Sequence, residues 1–135
     1  MTKQRIATLV AFVAILVVTA VAAAAKPSSS LNLVVLSSGG TKAATTAPSY
    51  GGQITFDVST TETNRPYVNV RCYQGGVFVY DDWAAFWAGA PQSDAFTLSS
   101  GYWTGGAADC TARLVAFDKQ GREQTLASTA FHVNA

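Results

Sequence analysis

Two short segments of this chain alternate strictly, and each carries one of its only two cysteines on the apolar side. In residues 67–73 (YVNVRCY), Val68, Val70 and Cys72 share one side while Tyr67, Asn69, Arg71 and Tyr73 share the other. In residues 109–117 (DCTARLVAF), Cys110, Ala112, Leu114 and Ala116 face one way, and Thr111, Arg113, Val115 and Phe117 the other. A period of two belongs to a strand with one buried face, because successive side chains leave a pleated backbone on opposite sides. Two inward cysteines on two such strands are expected to form a Cys72–Cys110 disulfide in one core. Closing a loop of about 40 residues stabilises a fold by up to ~4 kcal/mol in the chain-entropy picture.

Such a bond calls for an oxidising compartment, and the N-terminus suits export. Lys3 and Arg5 precede an almost wholly apolar run, residues 6–21 (IATLVAFVAILVVTAV). Residues 22–25 are alanines, with Ala23 and Ala25 in the A-x-A spacing of a cleavage site before Lys26. The reading is a leader helix over residues 1–25, a signal peptide cut after Ala25. An apolar run of about 20 residues also spans a bilayer, so an uncleaved transmembrane anchor is the other reading. Terminal alanines, in place of a continued Leu/Val run, favour cleavage. Either way the basic residues hold the N-terminus in the cytoplasm and place the rest outside. The chain is expected to be secreted or at the cell surface, touching membrane only through this segment.

After the leader come a polar linker, residues 26–30 (KPSSS), and one domain, residues 31–135. A domain of that size buries roughly two-thirds of its unfolded surface. Without Lys3 and Arg5, the 9 basic and 8 acidic residues become a net charge of −1. That leaves no basic field for nucleic acid, and this class of partner is excluded.

Along the domain, residues 31–36 (LNLVVL) read as a first strand apolar on both faces, and residues 37–52 as a Ser/Gly/Thr-rich loop with a weak edge strand near 42–46. Residues 53–60 (QITFDVST) give a clean strand with Ile54, Phe56 and Val58 inside. Gln74-Gly75-Gly76 predicts a tight turn into residues 77–80 (VFVY). Trp83, Phe86 and Trp87 recur at i, i+3 and i+4, so residues 81–91 are the one place where spacing supports a helical turn, capped by Asp81 or Asp82. Residues 95–99 form a short strand, 101–106 (GYWTGG) a Gly-rich turn, and 118–123 (DKQGRE) a hairpin loop around Gly121. Residues 125–133 close the domain with Ala127, Thr129, Phe131 and Val133 inward. Seven short strands and no long amphipathic helix predict an all-β, seven-stranded antiparallel sandwich with one intradomain disulfide.

The order G-x-I-T-F-x-V-S at residues 52–59, C-x-A-x-L at 110–114, a Gly-centred hairpin and F-x-V at 131–133 resembles an immunoglobulin-like sandwich, most of all the version in secreted bacterial proteins. The resemblance covers about residues 31 to 133. It puts residues 53–60 in the place of strand B, without a cysteine, and Cys72 on strand C. The disulfide it implies joins C to F inside one sheet. A rival register makes the Cys72 strand B and Trp83 the buried tryptophan after it, with 37 residues between the cysteines for all the intervening strands. The tyrosine expected two places before the second cysteine is Ala108 here.

Catalytic chemistry has little to work with. His132, the only histidine, falls on the outward side of the last strand. Asp81-Asp82, with Asp94, is the only carboxylate group of interest for a hard cation, and a cap or solvated loop explains it. The glycine pairs sit between strands, not in a strand–loop–helix phosphate cradle. No enzyme, cofactor or metal is expected.

Two aromatic groups remain. Alternation puts Tyr67, Arg71, Tyr73, Arg113, Val115 and Phe117 on the outer face of one sheet, with Phe78 or Tyr80 joining from the next strand. Tyr, Phe and Arg on one solvent face is interface composition, and it implies a protein partner or self-association. The bland reading is cross-strand pairing that only stabilises the sheet. Trp83, Trp87, Tyr102 and Trp103, all assigned to loops, are the alternative: a stacking platform for a carbohydrate or envelope polymer, or else a plug for the end of the sandwich.

Overall fold

The computed structural model describes residues 26–37, 39–43 and 47–135. The leader, residues 1–25, and residues 44–46 of the weak edge strand lie outside the described residues. Among the described residues seven strands run in order: β1 (Ser29–Leu36), β2 (Gln53–Thr60), β3 (Tyr67–Gln74), β4 (Val77–Ala85), β5 (Phe96–Thr97), β6 (Ala108–Phe117) and β7 (Glu123–Val133). They form two antiparallel sheets, β1-β2-β5 and β4-β3-β6-β7. β1 starts inside the expected linker, where Ser29 and Ser30 pair with Thr60 and Ser59.

The core lies between the sheets and is made by the inward faces of the alternating strands. Ile54 and Phe56 from β2 meet Val68, Val70 and Cys72 from β3, and Ala112 and Leu114 from β6. Phe96 and Leu98, on and just after β5, are fully buried among them. Phe56 stands at the centre of the aromatic contacts, with ring centroids 5.8 Å from Phe96, 6.3 Å from Phe131 and 6.4 Å from Phe86. Edge-to-face pairs of this kind add stability beyond the area they bury.

Cys72 and Cys110 are direct partners across the β3–β6 ladder, bonded, buried and 4.1 Å apart at Cα. The disulfide is therefore intra-sheet, and the rival register fails because both cysteine strands lie side by side. The turn glycines behave as their positions demand. Gly75 (φ 52°) and Gly76 (φ 83°) both occupy the left-handed region that a two-residue hairpin requires.

The helical turn expected over residues 81–91 does not form. β4 continues from Val77 to Ala85, with Trp83 opposite Asn69 and Asp81 opposite Arg71. A full ladder with β3 satisfies these backbone groups, which outweighs a capping aspartate and a three-residue aromatic spacing. The aromatic trio is accordingly split. Phe86 packs on the core beside Phe96, their rings stacked at 6.4 Å, while Trp83 and Trp87 contact residues of the outer face.

Candidate functional site

The site is built on the solvent side of β4-β3-β6-β7. Register alone sets its rows. Ala85, Tyr67, Val115 and Thr125 form the first; Trp83, Asn69, Arg113 and Ser128 the second. Asp81, Arg71, Thr111 and Ala130 form the third; Phe78, Tyr73, Asp109 and His132 the fourth.

Two aromatic groups stand at opposite ends of these rows. At one end Tyr67 lies 4.8 Å from Trp87 and 5.3 Å from Phe117, and Trp83 lies 6.0 Å from Phe117. At the other, Tyr73 and Phe78 are paired at 5.5 Å, and both are exposed. Five expected residues of the protein-binding set are placed as alternation predicts: Tyr67, Arg71, Tyr73, Arg113 and Phe117. Val115 is the correction. It is on that face, but its exposure is 0%, with Tyr67 opposite it and Phe117 two residues on. Val115 cannot touch a partner.

Between the aromatic ends is a polar network that sequence reasoning missed. Asn69, on the nominally outward side of β3, is completely buried. Its amide nitrogen donates to an Asp81 carboxylate oxygen and to the Asp82 carbonyl at 3.1 Å, and its amide oxygen accepts from Arg113 Nη2 at 2.9 Å. Arg113 Nη1 donates to Glu123 at 3.3 Å, and its guanidinium carbon lies 5.9 Å from the centroid of the Trp83 ring. Three different contacts thus fix one arginine in the middle of the face. A buried amide has to satisfy its donors and acceptor, so Asn69 sets the position of Arg113.

Arg71 is held more loosely. Its nearest acid is Asp81, with Nε 3.5 Å from Oδ2, and that Nε is buried without a hydrogen bond. At the face's far edge His132 Nδ1 lies 2.8 Å from Asp109, both well exposed.

Of the two residues expected to join this face from the next strand, Phe78 is on it and Tyr80 is buried; Trp83 is on it too, and a β-bulge hid it. The register shifts between Cys72 and Tyr73, so Val79 and Tyr80 are both buried in succession. The outward phase then resumes at Asp81 and Trp83. Simple alternation along residues 77–83 cannot show that slip.

The carbohydrate set is not brought together. Trp103 is 1% exposed, wedged against Tyr50 at 5.3 Å and Tyr80 at 6.1 Å, with Nε1 donating to the Gly106 carbonyl at 3.1 Å. It plugs the sandwich and cannot stack on a sugar. Tyr102 beside it is 86% exposed. Its loop is tied to the β3–β4 hairpin end, where Ser100 bonds the Val79 carbonyl and Gln74 the Gly105 carbonyl. Trp87 follows Ala85 at the other end of β3, roughly 20 Å away at about 3.3 Å per residue.

The acid pair does not make a cation site. Consecutive residues of a strand point to opposite sides, so Asp81 joins the outer network while Asp82 accepts from the Tyr80 hydroxyl at 3.3 Å. Burial, then the charge of Asp82, pushes the Tyr80 phenol well above its ordinary pKa. Among the described residues no cluster of His, Cys, Asp and Glu could hold a metal ion, and no helix is long and apolar enough to cross a membrane. A groove of about 500 Å³ along β1 and β7, lined by Leu33, Val35 and Phe131 with Lys42 and His132, is largely apolar.

Comparison with protein-family models, with curated proteins and with solved structures finds no match to this chain.

Proposed function

We propose that this chain is an exported, non-enzymatic immunoglobulin-like domain that engages a protein through the outer face of β4-β3-β6-β7. The strand order supports the immunoglobulin-like part. With β1, β2 and β5 as A, B and E, and β4, β3, β6 and β7 as C′, C, F and G, the two sheets have the neighbours of that sandwich. A buried disulfide fits an extracytoplasmic location.

The observation that carries the binding reading is the cluster of Tyr67, Trp83, Trp87 and Phe117 next to a pre-positioned Arg113, which lies over the Trp83 ring. Aromatic residues and arginine dominate the energetic centres of protein interfaces. A side chain already fixed before binding loses less entropy on contact. The rings also fit a protein better than a sugar: Tyr67 meets Trp87 and Phe117 at interplanar angles of 74° and 82°. A sugar ring stacks on an open flat face, and these rings cover one another's edges.

Photo-crosslinking tests the reading. A crosslinker at Ser128, a small residue beside Arg113, should capture a protein from the chain's own extracytoplasmic environment. Phe117→Asp or Arg113→Glu should weaken that capture roughly thirty-fold or more, the loss expected at an interface centre. Both variants must keep the wild-type far-UV spectrum and disulfide. Capture that is unchanged in both would sink the proposal.

A further inference from the structure

The face has a charge pattern that says what could cover it. Arg71 and Arg113 stand among Asp81, Asp109 and Glu123, each arginine beside an acid. A surface whose charges cancel in neighbouring pairs gains little from a strongly basic or acidic partner. It does complement itself when turned over, because each positive position can be placed on a negative one. Beyond residue 25 the net charge is −1, so two copies barely repel at long range.

Two partly exposed, singly paired side chains are within reach of such a contact. The Arg71 side chain is 42% exposed, and its ion pair to Asp81 is long at 3.5 Å. The Asp109 side chain is 87% exposed, with His132 as its neighbour. Register places Arg71 opposite Thr111 and Tyr73 opposite Asp109, so the two charges are diagonal neighbours on the two central strands, towards the β3–β4 hairpin end of the face. They do not meet within one molecule, yet a two-fold axis passing between them brings each onto the other's partner. A reciprocal pair of this kind is what a self-complementary dimer contact requires.

The size fits as well. Four strands about 4.8 Å apart and eight residues long at about 3.3 Å give a footprint of roughly 19 by 26 Å. That is about 500 Å² in plan, below the ~800 Å² per partner of a standard interface and the size of a weak, reversible contact. Phe78, Tyr73 and Phe117, at 50%, 40% and 44% exposure, supply the apolar surface that such a contact would remove from water.

We infer that the occupant of this face is a second copy of the same chain, packed face to face with Arg71 of each copy on Asp109 of the other. This rests on the binding-face reading above and names its partner. Arg71 then gains the carboxylate that Asp81 supplies only at a distance, and the exposed Tyr73–Phe78 pair beside Asp109 is covered in the same step.

Sedimentation velocity on the full-length chain over a wide concentration range tests it. The wild type should show a monomer–dimer equilibrium. Arg71→Glu alone and Asp109→Arg alone should each raise the dissociation constant roughly thirty-fold or more. The double variant, Arg71→Glu with Asp109→Arg, restores the opposite charges and should return to within about a factor of ten of wild type. Melting temperatures of all three confirm that folding is not what changed. A dimer that is equally tight in both single variants overturns the inference. So does a strictly monomeric wild type, and the Ser128 crosslinker then separates two cases. Crosslinking to a different protein leaves the binding face standing and removes only the second copy. No crosslink at all removes both.

Discussion

Asn69 shows how one residue can decide the character of a surface. An amide on the solvent side of a strand is ordinarily hydrated, but here it is sealed beneath Arg113, Asp81 and the Asp82 backbone. Removing it leaves polar and charged neighbours under-satisfied rather than merely losing a contact. Asn69→Ala should cost about 2–3 kcal/mol in urea unfolding of the oxidised protein, and should release Arg113 from its fixed position. Tyr80 is the second telling residue. Its phenol is buried beside Asp82, so its pKa is raised in the folded state. The stability linked to that shift is fully present below the ordinary tyrosine pKa near 10 and is lost as pH rises towards the higher folded value. Melting temperatures taken between neutral pH and pH ~11 should therefore fall more steeply for wild type than for Tyr80→Phe.

At the level of elements, the disulfide is a register device as much as a crosslink. Cys72 faces Cys110, so on the other side of the same strands Arg71 must face Thr111 and Tyr73 must face Asp109. Replacing both cysteines by alanine should cost about 2–4 kcal/mol in equilibrium unfolding. It should also weaken any contact made by the outer face, since nothing covalent then prevents the two strands from slipping. The β3–β4 hairpin makes a sharper test of backbone chemistry. Gly76, at φ 83°, tolerates a side chain poorly, and Gly76→Val should cost about 1–2 kcal/mol. Gly75, at φ 52°, sits where asparagine is accepted, and Gly75→Asn should be close to neutral by the same measurement.

At the scale of the whole molecule, the buried disulfide, the proposed export and the proposed binding face make one testable scheme. The chain made in a reducing cytoplasm should carry free Cys72 and Cys110 and melt lower than the exported form. Intact mass under non-reducing conditions distinguishes the two. Free thiols on protein recovered from outside the cytoplasm would contradict the scheme. The near-zero net charge and the balanced outer face bring association within reach at modest concentration, without a strong field to draw in nucleic acid or other polyanions.

Much of this fold was legible because it depends on period and punctuation. Strict alternation around Cys72 and Cys110 identified two half-buried strands, their inward faces and their bond. Paired glycines marked the hairpin. The same alternation found Tyr67, Arg71, Tyr73, Arg113 and Phe117 on one face. What it could not show was depth and phase. Val115 and Asn69 point outward yet are buried, Asn69 between Asp81 and Arg113 of the two neighbouring strands. Trp83 looked like part of a helical turn until the ladder with β3 claimed it, and a bulge concealed its phase. Local pattern set which way each side chain points; only the packing of one strand against another decided how far water can reach.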